Sequence, residues 1–428
     1  MRTLAIAAAS LLVALSALAD PPVDVGDRVE LRATHHLGVP LHRMDSSSMF
    51  GRAADGSFGK VVAVSANDWV RLELPDGRSG WVSPRYVVGV IDEHPPAPPP
   101  SACAADAEER VWASREECEA VVAAGCRLPK ESDALRAGTW NVRWFPKGCS
   151  PSESCPENAT DLDWLACAIT WMDVDLLAVE EILDDPGART AIATVVAKLE
   201  AAGEDWEVDL QACGPLKAQH VGFLWRSDRV TLTAFADVEE LNGAASAGGD
   251  PCSANLRPGR YAHAVGAGGG ADFHVVAVHL DSGTRDRDYQ NRRSAIDRLD
   301  QINVGGTPIL DSEVDLLVLG DYNTMGRSEP PQIPAALELE LFEEELAPGF
   351  RLATPQVVCT EYFNGQGGRL DHAVMSVGMQ EAPRDARVSG YCAVRNCAAF
   401  TGSTPAAYEV LSDHCPVLVD LHNADLDD

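Results

Sequence analysis

The sequence is poor in positive charge: 34 Lys and Arg stand against 65 Asp and Glu, a net charge of −31 at pH 7. A protein that grips nucleic acid over its whole surface is basic, so this composition excludes that mode and leaves only local contact with a polyanion. No apolar run reaches the roughly 20 residues that a membrane-spanning helix needs. None of the 12 cysteines forms a Cys-x-x-Cys pair, which leaves zinc ribbons and thioredoxin-like motifs without support. No internal repeat is visible. With 46% apolar residues the chain is not globally disordered, and its 428 residues suffice for two domains and a linker.

The first 19 residues read as an export leader. Arg2 supplies the charge, residues 4–15 the apolar stretch, and Ala17-Leu18-Ala19 a small-x-small cleavage site before Asp20. The expected setting is periplasmic or extracellular. All 12 cysteines follow Pro100, an even number behind an export signal, so disulfides are expected. Sequence does not fix their connectivity, although Cys392 with Cys397 and Cys118 with Cys126 are close enough for local pairs.

Three segments follow the leader. Residues 22–92 are strand-like and rich in turns. Residues 93–134 hold a proline-dense spacer around Pro95-Pro96-Ala97-Pro98-Pro99-Pro100 and a cysteine-containing helical stretch. Residues 135–422 alternate apolar strands with helical spacing. In this third segment Thr139-Trp140-Asn141 ends a strand, and a helix is expected over 161–172 with Asp161 as N-cap. The run Asp175-Leu176-Leu177-Ala178-Val179 ends in Glu180-Glu181. Later strands end in His279-Leu280 and in Gly320-Asp321-Tyr322-Asn323, where Gly320 permits a sharp turn. Leu370-Asp371-His372 and Ser412-Asp413-His414-Cys415-Pro416-Val417 complete the set.

Each motif places Asn, Asp, Glu or His at or near a strand terminus. An isolated buried ion costs several kcal/mol, so several such ends imply one shared polar site at a sheet rim. Carboxylates with an amide suit a hard cation, magnesium first, manganese or calcium also. Two histidines suit proton transfer or stabilisation of a developing oxyanion. Metal-assisted hydrolysis of a phosphoester accounts for the combination.

The order of these six motifs resembles the endonuclease/exonuclease/phosphatase superfamily, the deoxyribonuclease I-like proteins. The resemblance implies an α+β fold, a four-layer α/β/β/α sandwich of two packed sheets. It implies that Asn141 and Glu181 hold the metal and that Asp413 joins its shell. Asp321 and Asn323 then orient and deprotonate the attacking water, or hold a second metal. His279 and His414 contact the scissile phosphate, and Asp371 sets the tautomer of His414. Strand alternation puts Glu180 and Glu181 on opposite faces, and the family's spacing favours Glu181. The chain departs from nuclease relatives at Gln219, where they carry a Glu partner for the histidine, and at His372, where many have Tyr.

The substrate is not separated by these motifs. Arg143-Trp144-Phe145 after Asn141 reads as a rim for a base or phosphate, though both aromatics read equally as core. Arg257 falls where nuclease relatives hold a phosphate-binding arginine. A deoxyribonuclease-like endonuclease is the leading expectation. A phosphomonoesterase or sphingomyelinase of the same fold, or a non-catalytic cell-wall or protein-binding scaffold, stays open. Residues 22–92 resemble a bacterial Src-homology-3-type barrel on Trp69-Val70-Arg71-Leu72, Asp76-Gly77-Arg78, Gly80-Trp81-Val82 and Tyr86-Val87. That resemblance implies a module for peptide or cell-wall material, with Trp69 and Trp81 in its core.

Overall fold

The computed structural model describes residues 28–31, 39–42, 49–53, 58–65, 69–74, 78–83, 86–90, 103, 105–150, 159–211, 219–241, 259–311, 313–355, 358–382 and 385–426. The leader, the proline-dense spacer, the Asp76-Gly77 turn and Arg257 lie outside them. The chain divides into two compact units, residues 1–99 and 100–428.

The first unit pairs seven strands: β1 (Arg28–Leu31), β2 (Val39–His42), β3 (Met49–Ala53), β4 (Phe58–Val64), β5 (Val70–Glu73), β6 (Ser79–Val82) and β7 (Val87–Val90). Their order is β3-β2-β6-β5-β4-β1-β7, and no described pairing joins β3 to β7, so a closed barrel is not displayed among the described residues. The two tryptophans do not fill the core. Alternation along β5 and β6 points Val70, Leu72, Gly80 and Val82 inward, which leaves Trp81 half-buried on the other face. Trp69 meets His42 edge-on at 5.1 Å, and the core is aliphatic, built on Leu31, Leu41, Val61 and Leu72.

The second unit is mixed α+β with several sheets. Its strands are β8 (Ala134–Phe145), β9 (Leu176–Leu183), β10 (Trp206–Leu210), β11 (Gln219–Arg226), β12 (Val230–Val238), β13 (Gly259–Gly266) and β14 (Asp272–His279). After them come β15 (Asn303–Val304), β16 (Thr307–Pro308), β17 (Leu316–Asp321), β18 (Phe350–Pro355), β19 (Glu361–Phe363), β20 (Gln366–Gly368), β21 (Asp371–Ser376), β22 (Asp385–Val388) and β23 (Val417–His422). The main order, β10-β11-β9-β8-β23-β22-β18-β21-β17-β14-β13-β12, falls into two halves of six. A short parallel pairing of Thr354 with Asp385 and Pro355 with Ala386 joins them. Strands β8 and β9 of one half lie against β14 and β17 of the other. The helix Pro186–Ala201 packs on β9 and β10, and the helix Ala335–Leu346 on β18.

The sequence dictates these elements locally. Every residue of β17 is buried, as a Leu-Leu-Val-Leu run covered on both faces must be. The helix Leu162–Met172 starts where the Asp161 carboxylate accepts the N–H groups of Asp163 and Trp164. Gly320 sits within β17 and not in a turn. A Cβ there would lie 1.9 Å from the Val278 carbonyl oxygen of β14, so glycine is required by the close approach of two strands.

The short helices Ala107–Val111 and Arg115–Ala123 belong to the second unit, where Trp164 Nε1 donates to the Val111 carbonyl at 2.9 Å. Disulfides link Cys103 to Cys126, Cys118 to Cys167, Cys359 to Cys397 and Cys392 to Cys415, and Cys149 is also bonded. The local pairs expected for Cys118 and Cys392 do not form. Cys118 lies on the buried face of its helix and meets the helix Leu162–Met172, while Cys392 is buried beside Cys415. No described cysteine is free. Among the described residues no helix is long and apolar enough to cross a membrane.

Candidate active site

Three polar residues lie in lateral register on neighbouring strands of the second half. His279 pairs with Asp321 across β14 and β17, and Asp321 pairs with Asp371 across β17 and β21. In-register neighbours project to the same side of a sheet, so one backbone arrangement gathers all three. Strand β8 delivers Asn141 from the opposite half. Its Nδ2 donates to Asp321 Oδ2 at 3.1 Å, and its Oδ1 accepts the Arg143 N–H at 3.0 Å.

His414 enters from the loop before β23. Its Nδ1 donates to Asp371 at 2.9 Å, which turns Nε2 toward Asp321 Oδ2 at 3.9 Å. Burial opposes a charge on His414, but the Asp371 carboxylate, its hydrogen bond and Asp321 hold the imidazole well above the usual histidine range. His279 Nε2 faces Asp321 Oδ2 at 3.5 Å and Glu181 Oε1 at 3.9 Å. Burial, reinforced by Asp371 and opposed by His414, raises Asp321 to about 7. Oxygen or nitrogen atoms of Asp321, Asp371 and His414 lie within 4.8 Å of one another.

The two glutamates of β9 do not point to opposite sides. The pairing with β8 shifts register after Asn141–Glu180, and Glu181 has φ +65. This irregularity breaks the alternation. Glu181 Oε2 accepts the Trp144 N–H at 2.9 Å. Glu180 is fully buried, takes the Thr139 hydroxyl at 2.6 Å on Oε1, and leaves Oε2 without a partner among the described residues. Burial raises its pKa well above normal, and the nearby Asp371 and Asp321 charges add to that.

Asn323 follows in the left-handed region at φ +52, its N–H bonded to Asp321 Oδ1 at 2.8 Å and its amide to the Leu280 carbonyl. Asp413 lies at the edge, with Oδ1 4.0 Å from Arg143 Nε and 3.4 Å from the Ser412 hydroxyl. Arg143 and Trp144 both take positive φ, while Phe145 is completely buried and belongs to the core. The rim after Asn141 is therefore Arg143 and Trp144 alone.

Several residues of the site escape motif reading. Ser412 Oγ donates to the Asn141 carbonyl at 2.6 Å and accepts the His414 N–H, so the serine stitches the histidine loop to β8. Trp140 Nε1 does the same from the other side, donating to the His414 carbonyl at 3.1 Å. Thr360 Oγ1 accepts the N–H groups of Leu370 and Asp371. Glu361 bridges His414 through its backbone. Its carboxyl is raised to about 8 by burial, with Asp413, Asp371 and Asp321 adding to that and His414 opposing it. The sequence carries no signal for Glu361, because its strand is three residues long. Ser412 and Trp140 were legible only as letters within the motifs.

No protein-family model matches the chain, and no curated protein matches it. Among solved structures, an endonuclease/exonuclease/phosphatase protein from Bacteroides vulgatus is similar at 16% identity and TM-score 0.47, over 67% of this chain and 98% of that one. A mannosyl-6-phosphatase from Bacteroides thetaiotaomicron gives 15% and 0.43, over 67% of this chain and 99% of the other. A D. rerio TDP2 complexed with single strand DNA product gives 13% and 0.44, over 68% and 99%.

Proposed function

We propose that the chain is an exported, divalent-metal-dependent hydrolase of phosphodiester bonds acting on nucleic acid. The observation that carries this reading is the line of contacts Asp371–His414–Asp321, with Asn141 bonded to Asp321 and Glu181 beside His279.

A hard cation fits the donor set. Asp321, Asp371, Glu180, Glu181, Glu361 and Asp413 crowd one region with His414 and Arg143 as the neighbouring positive groups, and hard oxygen donors are what magnesium or manganese selects. Asn141, Glu181 and Asp413 are assigned to hold it, and Asp321 borders the same space. Bound there, the ion supplies charge neutralisation and polarisation of the phosphoryl group.

The chain's own groups divide the remaining work. Asp371 fixes His414 with Nε2 turned into the site, so the imidazolium donates to a phosphoryl oxygen as charge builds on it. His279, with Nε2 3.5 Å from Asp321 Oδ2, contacts the same phosphate. Asp321, held by the Asn323 N–H and the Asn141 amide, orients the attacking water and accepts its proton. The first unit is assigned to peptide or cell-wall binding, with no part in turnover.

A panel of DNA, RNA, sphingomyelin and inositol phosphates, each with magnesium or manganese and with EDTA, tests the reading. Turnover of nucleic acid alone supports it. Turnover of sphingomyelin or a phosphomonoester alone moves the substrate assignment elsewhere within phosphoester chemistry.

A further inference from the structure

Beside the catalytic cluster lies a groove with a volume of about 480 Å³, bordered by Met325, Leu339 and Leu370. That volume falls in the range that binds a nucleoside-sized group. Phe363 stands at its rim, 66% exposed. Glu361 lines the groove and, through its backbone bridge to His414, adjoins the catalytic residues. Its Oε2 lies 2.7 Å from where a Cβ on Gly368 would stand, so glycine leaves the room that this carboxyl occupies.

The wall that carries Phe363 is stiff. Strands β19 and β20 are joined by Asn364 and Gly365, both at positive φ, in the two-residue Asn-Gly turn that suits a tight hairpin. The Cys359–Cys397 disulfide ties the hairpin's entry, and Tyr362 stacks on Phe400 at 4.2 Å. Phe363 is therefore presented with little ordering cost on binding.

Arg369 also lines the groove and brings a guanidinium to it. A hydrocarbon tail offers that group nothing. A heteroaromatic ring offers a π-face to Phe363 and carbonyl or ring-nitrogen acceptors to Arg369.

We propose that this groove is a base-binding subsite, holding the nucleobase of the nucleotide next to the scissile phosphate, and this assignment rests on the phosphodiesterase reading for the position of that phosphate. The test uses the full chain with two substrates, a thymidine dinucleotide and the same backbone with abasic sugars. Phe363→Ala removes the stacking face and Ala336→Trp narrows the groove from its rim. Each lowers the ratio of kcat/KM for the base-bearing over the abasic substrate by about ten-fold, the worth of one base–aromatic stack. Thymidine binding, followed by calorimetry without turnover, weakens in parallel. An unchanged ratio in both variants, with unchanged thymidine binding, overturns the subsite. If the wild-type chain hydrolyses neither substrate, the phosphodiesterase reading fails. The calorimetry then decides the groove on its own: thymidine binding that Phe363→Ala weakens sustains it, and its absence overturns it.

Discussion

Asn141 on β8 and Asp321 on β17 meet across the two halves of the sandwich through a buried hydrogen bond of 3.1 Å. The same amide anchors the strained Arg143-Trp144 rim by accepting the Arg143 N–H. Asn141→Ala therefore removes two contacts and leaves Asp321 less satisfied. Chemical denaturation should register a loss of about 1–3 kcal/mol, the cost of an unsatisfied buried polar group. Turnover should fall further than that loss of folded protein explains.

In the proposed mechanism His414 acts where charge develops, so its benefit should fall mainly in the transition state. His414→Ala should lower kcat by about 100-fold or more while KM moves little. Asp371→Asn should also lower kcat, because an amide that accepts less strongly releases the ring from the tautomer that Nδ1 now donates. Kinetics and melting temperature on the same preparations decide between roles. A destabilised His414→Ala protein with near wild-type turnover per folded molecule contradicts the catalytic assignment.

His372 gives a pH dependence of known sign. Burial, with the Arg369 charge nearby, lowers its pKa from 6.5 to about 3. The unfolded chain thus binds a proton that the folded one refuses between those values. Its contribution is fully present above about pH 6.5 and is lost progressively as pH falls toward 3, at up to about 1.4 kcal/mol per pH unit. His372→Phe keeps a ring against Tyr322 and Phe342 and removes this titration. The variant's stability should depend less steeply on pH below 6.5, measured by denaturant midpoints, and an unchanged slope contradicts the assignment.

Much of this architecture is written in local pattern. The buried run of β17 and the Asp161 cap are visible in the letters, because strand burial and helix capping depend on near neighbours. So is the clustering of Asn141, His279, Asp321, Asp371 and His414, since polar ends on apolar strands must converge somewhere. What escaped depends on distant backbone. The irregularity at Glu181 cancels an alternation argument that holds for regular strands. Cys118 chose Cys167, 49 residues away, over Cys126, through the packing of two helices. Phe145 turned inward while Trp144 stayed at the rim, because two left-handed residues bulge β8 and shift its register between Asn141 and Phe145.

The central claim, that a divalent cation completes this cluster of carboxylates and histidines for phosphodiester hydrolysis, is tested most directly by chelation. DNA hydrolysis by the full chain is measured before EDTA, in excess EDTA, and after return of magnesium or manganese, with Glu181→Gln alongside. The account predicts loss of turnover with EDTA, recovery with the metal, and a Glu181→Gln protein that needs far more metal for any turnover. Full hydrolysis in excess EDTA contradicts it.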